Sequence, residues 1–187
     1  MIVFGIDASY RRTGWAVMDG GKLIDYGSIK PPSRYDKVTF KDPLFSEYLH
    51  WYSKTIEFLV ADANPSVVAM EDINIRFLAS GKVLQQMQAA AKIGVINTNI
   101  CKLIKNFTGI MLIHNTTIKS QLGIIYRKKD LPKKIVEKAK ECKIPAVKLQ
   151  MIDIVNSEFG INLGYWQQDE ADAIGICMVA RKKALKL

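Results

Sequence analysis

Apolar and polar positions follow two different periods along this chain, and the places where the period changes mark its elements. Ile2-Val3-Phe4-Gly5-Ile6, closed by Asp7, is a short apolar run that reads as a buried strand over residues 2–7. Thr13-Gly14 leads into Trp15-Ala16-Val17-Met18, and Gly20-Gly21 turns the chain into Lys22–Ile29, which predicts a three-strand antiparallel meander. Pro31-Pro32 and the polar stretch to Asp42 read as a loop. From Leu44 to Ala63 apolar residues recur at helical spacing (Leu44, Tyr48, Trp51, Phe58 and Phe45, Leu49, Tyr52, Ile56), so a helix with a broad buried stripe is expected. Asn64-Pro65 stops it, and Val67–Glu71 reads as the fourth strand. A long helix is expected over residues 80–105, with Ser80 as N-cap and small side chains around Ala89-Ala90-Ala91 and Gly94 that permit close helix approach. Gly109–His114 reads as the fifth strand. Short helices are expected from Pro132 and from Pro145 to Phe159, the second stopped by Gly160, and a last helix from Gln168 to Leu185. Three antiparallel strands, then α, β, α, β and further helices, describe an α/β fold with one mixed five-stranded sheet and helices on its faces. No repeat or linker interrupts the pattern, and 187 residues suit a single domain over 1–187.

Charge changes this picture. The chain carries 27 basic and 18 acidic residues, a formal net charge of +9, which points towards a polyanion. Its distribution is more telling. Residues 127–148 hold nine basic residues (Arg127, Lys128, Lys129, Lys133, Lys134, Lys138, Lys140, Lys143, Lys148) against Asp130, Glu137 and Glu141. A solvated helix face is the ordinary reading of such a run. Here the concentration favours nucleic-acid contact, with Lys128, Lys129, Lys133 and Lys134 as the candidate contacts. The three cysteines, Cys101, Cys142 and Cys177, show neither disulfide nor zinc spacing, so a reducing cytoplasmic compartment is expected. The N-terminus opens directly on a strand-like run, without a signal-type leader, and no segment approaches the roughly 18 apolar residues of a membrane span.

Four acids stand out by position. Asp7 and Glu71 each close an apolar strand, while Asp169 and Asp172 sit one helical turn apart at the head of the last helix. Carboxylates at the ends of buried strands are costly unless something cationic neutralises them. No single Lys or Arg neighbours all four in the sequence, so a pair of divalent ions is the expected neutraliser. Two-metal phosphodiester hydrolysis needs this kind of oxygen donor set, with ions about 4 Å apart and a bridging carboxylate. Asp7, on the expected central strand, is the candidate bridge. Asp172 shares a helix face with Ile176 and Val179, which turns it inwards, whereas Glu170 falls on a different face and is expected to be a solvated neighbour. Each acid alone has a plainer reading: Asp7 closing a turn through Ser9, Asp169 and Asp172 favouring a helix N-terminus, Glu71 an ordinary loop acid.

Phe4-Gly5-Ile6-Asp7-Ala8-Ser9, followed by Thr13-Gly14-Trp15-Ala16-Val17, resembles the opening of RuvC-type Holliday junction resolvases, in the ribonuclease H-like superfamily. Val68-Ala69-Met70-Glu71 before a long helix looks like their second acidic motif, and Asp169-Glu170-Ala171-Asp172-Ala173 like their closing motif. The resemblance spans nearly the whole chain. It implies a ribonuclease H-like sheet and a Mg²⁺-dependent, homodimeric endonuclease acting on four-way DNA junctions, with Mn²⁺ as a substitute ion. By it, the catalytic, metal-holding carboxylates are Asp7, Glu71, Asp169 and Asp172. Thr117-Ile118-Lys119-Ser120-Gln121-Leu122-Gly123 is similar to a lysine-containing loop of the family, in which Lys119 would approach the scissile phosphate; a generic basic loop residue is the alternative. Cellular members carry a base-stacking aromatic three residues after the middle glutamate. Here that position is Asn74, and Phe77 is the nearest aromatic, for stacking on DNA or for packing. The basic segment before Asp169 is also longer than in bacterial members, and a phage or viral version, acting in a host-cell cytoplasm with broader branched-DNA activity, fits both departures.

Other residues rank lower. His50, in mid-helix, is expected to be structural, and Trp166 to pack rather than stack on bases; His114 has no second ligand to make a zinc site. Two rival functions remain on the sequence. One is a non-catalytic branched-DNA-binding module. The other is an actin-like or sugar-kinase-like ATPase, whose phosphate loop Asp7-x-Ser9 with Thr13-Gly14 also resembles, but which needs two such domains.

Overall fold

The computed structural model describes residues 1–36, 38, 42–72, 94–102, 104, 109–125 and 127–185. Strands β1 (Ile2–Asp7), β2 (Thr13–Asp19) and β3 (Lys22–Ile29) form the meander; β4 (Val67–Asp72) and β5 (Gly109–His114) complete the sheet. The helices are α1 (Leu44–Ala63), α2 (residues 94–102), α3 (Asn115–Gln121), α4 (Lys133–Glu141), α5 (Ala146–Phe159) and α6 (Gln168–Ala184). Sheet order is β3-β2-β1-β4-β5, with β1 antiparallel to β2 and parallel to β4, and β4 parallel to β5. β1 is therefore central, as the sequence predicts. Among the described residues no helix is long and apolar enough to cross a membrane.

The period-two alternation of the central strands assigns each side chain to a face. Phe4 and Ile6 of β1, with Val68 and Met70 of β4, pack under α1 and α2 against Tyr48, Tyr52, Ile56, Ile96 and Ile100. Val3 and Ala69 face the other way, into the core shared with α5 and α6. Asp7 has the parity of Val3, and Glu71 that of Ala69. The register Ile6↔Met70 sets the two acids side by side at the same edge, on the α5–α6 face. Burying a side chain such as Phe4 or Ile6 stabilises by about 2 kcal/mol, which offsets the cost of a carboxylate at the end of the same strand.

Helix α6 lies directly on β1 and β2 because glycines stand where it crosses them. A methyl group at Gly5 would sit 2.5 Å from the Ala173 carbonyl oxygen and the Cys177 Sγ, and one at Gly14 would collide with the Asp169 carbonyl. Gly14 pairs with Asp7 in the β1–β2 register, so the close approach brings the head of α6 to the end of β1. Residues Ala173 to Ala180 of α6 are all buried, between the sheet and α5. Helix α1 matches its expected span, but its stripe is narrower: Phe58 is 72% exposed, while Tyr48, Tyr52, Ile56 and Val60 are buried. His50 is also exposed on α1, against the expectation of a structural role.

Candidate active site

Asp7 ends β1 beneath the head of α6. Burial pushes its carboxyl up from 3.8 to about 7; the Lys148 ammonium draws it down, and the Glu71 and Asp169 carboxyls raise it further. The turn after it is closed by Thr13, not by Asp7. The Ser9 amide donates to Thr13 Oγ1 (3.1 Å), and the buried Thr13 hydroxyl donates to the Ser9 carbonyl (2.9 Å) and lies 2.7 Å from the Tyr52 hydroxyl. Asp7 is thus left without the structural duty that its plainer reading gave it.

Glu71 is held from the neighbouring strand's extension: Asn115, the first residue of α3, donates from Nδ2 to Glu71 Oε1 at 2.6 Å. Asp172 projects from α6 and is paired with Lys148 of α5. Asp169, one turn earlier, lies 3.7 Å from the Arg12 guanidinium. Burial raises the Asp169 carboxyl's pKa, Lys148 and Arg12 lower it, and Glu170 raises it. Asp7, Glu71, Asp172, Asn115, Lys119 and Lys148 line one cavity of about 120 Å³, walled by Ile118, Val147, Met151 and Ile176. Asp169 stands beyond this lining, next to Asp7. The four acids expected from the sequence therefore meet, from three elements, at one end of β1 and β4. Lys119 joins them, carried on the short helix α3 where the sequence suggested a loop.

Three further residues complete the site. Lys148 bears on Asp7, Asp169 and Asp172, so one lysine answers three of the four acids that the sequence left without a cation. It was visible only as one more charge in the basic run. The signal that separates it is its phase on α5: it heads the stripe Met151, Ile152, Val155, all buried. Arg12 and Asn115 had no such signal. Arg12 Nη2 donates to Glu170 Oε1 at 2.5 Å, and Glu170 is buried, not solvated. The reason is that α6 is covered on nearly every side and offers no solvent face at that position.

The basic run divides in three. Lys148 enters the site, Lys138 is bonded to Asp153 at 3.0 Å, and Arg127, Lys129, Lys133, Lys134, Lys140 and Lys143 are exposed. Phe77 and the side chain of Lys128 lie outside the described residues, as does the Ala89-Ala90-Ala91 segment of the expected long helix. His114 pairs with Asp72 at 3.3 Å, at the ends of β5 and β4.

A cluster of half-buried oxygen donors in which acids outnumber the lining lysines suits hard divalent ions by its chemistry. Among the described residues, no three His, Cys, Asp or Glu side chains close around a single point. Lys148 supplies the neutralising charge instead.

This sheet order, with a carboxylate closing its central strand, defines the ribonuclease H-like fold. Solved structures of this fold are similar to the chain over most or all of its length. Thermus thermophilus RuvC in complex with a Holliday junction substrate matches at 14% identity and a TM-score of 0.66, over 100% of this chain and 96% of that one. A second Thermus thermophilus RuvC structure matches at 15% identity with the same score and coverage. The yeast mitochondrial Holliday junction resolvase Ydc2 matches at 15% identity and a TM-score of 0.53, over 95% of this chain and 76% of that one. No protein-family model and no curated protein matches the sequence.

Proposed function

We propose that this chain is a structure-specific endonuclease that hydrolyses phosphodiester bonds in four-way (Holliday) junctions and other branched DNA, using two Mg²⁺ ions, with Mn²⁺ as a substitute. The observation that carries the reading is Asp7: an acid at the end of the central strand, half-buried, beside Glu71 and Asp169, while Thr13, among the described residues, closes the turn that follows. A protein that only had to fold would gain by replacing it. The whole-chain likeness to junction-resolving proteins gives the fold in which such an acid makes sense.

In this reading Asp7, Glu71, Asp169 and Asp172 would hold the ions, whose chemistry would be to activate water and to stabilise negative charge on the leaving oxygen. The chain's own side chains do the rest. Asn115 fixes the Glu71 carboxylate, and Arg12 steadies Asp169. Lys148 offsets the mutual repulsion of Asp7, Asp169 and Asp172. Lys119, in the cavity wall, is the cation for the scissile phosphate. The exposed lysines of α4 and its approach take the flanking backbone.

Resolving a four-way junction requires nicks in two strands of like polarity. One chain carries one set of four acids, so a two-fold homodimer is part of the proposal. In α2 the face bearing Ile96 and Ile100 is buried in the chain's own core, which leaves Thr98 and Lys102 on the side open to a second copy.

Incubation with a synthetic four-way junction, in Mg²⁺ or in chelator, tests the reading. Paired nicks near the branch point are expected in Mg²⁺ alone, with linear duplex uncut. The non-catalytic branched-DNA-binding reading draws on the absence of a closed three-acid cage among the described residues. It would be favoured by junction binding without cleavage in either Mg²⁺ or Mn²⁺, and equal cutting of linear duplex would overturn both readings.

A further inference from the structure

The turn Gly164-Tyr165-Trp166-Gln167, just ahead of α6, carries a tryptophan that is 73% exposed, against the packing role expected of it. Tyr165 beside it is 38% exposed, so the turn presents two adjacent aromatic rings to solvent and not one scattered apolar side chain. Phe58, as open at 72%, sits on α1, across the sheet from the acids. Trp166 sits on their side. Arg12 donates from Nη1 to the Trp166 carbonyl at 3.1 Å, while its Nε lies 3.7 Å from Asp169 and its Nη2 2.5 Å from the buried Glu170. One guanidinium thus ties the tryptophan's backbone to the candidate catalytic acid Asp169 and to its buried neighbour Glu170.

The turn is also held from within. Gln167 N donates to the Gly164 carbonyl (3.0 Å), Gly164 N to Gln167 Oε1 (3.0 Å) and Gln168 Nε2 to the Tyr165 carbonyl (2.9 Å). The Trp166 ring is seated against Gly164, where a Cβ would come within 2.6 Å of it. An aromatic ring kept in solvent by a fixed turn is prepared for a flat apolar ligand at little entropic cost.

We infer that Trp166 is a stacking platform for an unpaired nucleobase of the branched DNA, beside the phosphodiester that is cut. The inference rests on the endonuclease reading and deepens it. Charge supports a nucleic acid as the occupant: the chain is +9 overall, and α4 carries the exposed lysines Lys133, Lys134 and Lys140. Stacking is indifferent to base identity because every base has a π face. It discriminates by structure instead. A base at a branch point is cheaper to unstack than one inside continuous duplex, so a stacking residue near the acids favours branched over linear substrate.

Binding in chelator, where no cutting occurs, tests this with a four-way junction carrying 2-aminopurine at the branch point and a linear duplex of the same sequence. Trp166→Ala should weaken junction binding about tenfold, leave duplex binding unchanged and abolish the change in 2-aminopurine fluorescence, with Trp166→Phe retaining most of the effect. Unfolding curves of both variants should match the wild type, since the ring is mostly in solvent. Wild-type preference for the junction, kept in full by Trp166→Ala, would overturn the inference alone. Equal loss on junction and duplex would also overturn it, showing a turn that merely supports Arg12, and an unaltered nucleic-acid profile would leave a protein partner as the occupant. A wild-type protein with no preference for branched DNA would overturn this inference and the endonuclease reading together.

Discussion

Arg12 and Glu170 show how much of this site is held by contacts that join distant parts of the chain. Glu170 is 4% exposed and has one oxygen, Oε2, without a hydrogen-bond partner among the described residues, so the Arg12 guanidinium on Oε1 is what makes its burial tolerable. Removing the cation alone should be worse than removing both charges. Arg12→Ala is expected to destabilise by about 2 kcal/mol, below the usual cost of breaking a fully buried pair because the guanidinium is a third exposed. Arg12→Ala combined with Glu170→Gln should recover at least half of that loss. Denaturant midpoints of the two single variants and the double variant measure it, and strictly additive losses would mean the pair is not coupled. Neither partner was legible as such. The helical phase set Glu170 apart from Asp169 and Asp172 correctly, but the inference to solvent failed because the following residues, Ala173, Ile174 and Cys177, share its side and are buried. A helix apolar on every face gives its polar residues no open side.

At the scale of elements, the strands and most helices were readable because their signals are local. Gly20-Gly21 turns β2 into β3, Asn64 ends α1 in a left-handed conformation (φ 42°), and Gly160 does the same for α5 (φ 64°). The alternation along β1 and β4 also contained the pairing of Asp7 with Glu71, once the strands are known to be parallel neighbours. The meeting with Lys148 was not contained there, since it depends on how α5 packs against α6. Helix α4 is the element whose role is open to direct test, because among the described residues Lys138, paired with Asp153, is the one α4 lysine in an ion pair. Converting Lys128, Lys129, Lys133 and Lys134 to Gln should weaken junction binding and flatten its salt dependence, with the log–log slope falling by about 0.9 for each phosphate no longer neutralised. An unchanged slope in a salt titration would make the run a solvated face and no more.

At the scale of the whole molecule, the sheet separates two tasks. One face, under α1 and α2, is aromatic and aliphatic core; the other packs α6 on Gly5 and Gly14 and gathers acids from β1, β4 and α6 with lysines from α3 and α5. Stability comes from both faces, and the proposed chemistry sits where three elements of the second face end together. If that division is right, the central acid can be neutralised without harm to the fold or to DNA binding. Asp7→Asn, assayed in parallel for binding and Mg²⁺-dependent cutting of a four-way junction, asks this most directly. Outer partners of metal ligands cost about 10–100-fold when removed, so loss of the bridging ligand itself should lower cleavage on the order of a hundredfold or more. Junction affinity should stay equal to the wild type or rise, because an anion facing the phosphates has been removed. Cleavage within a few-fold of the wild type would contradict the account, since no centre built on Asp7 could survive its loss.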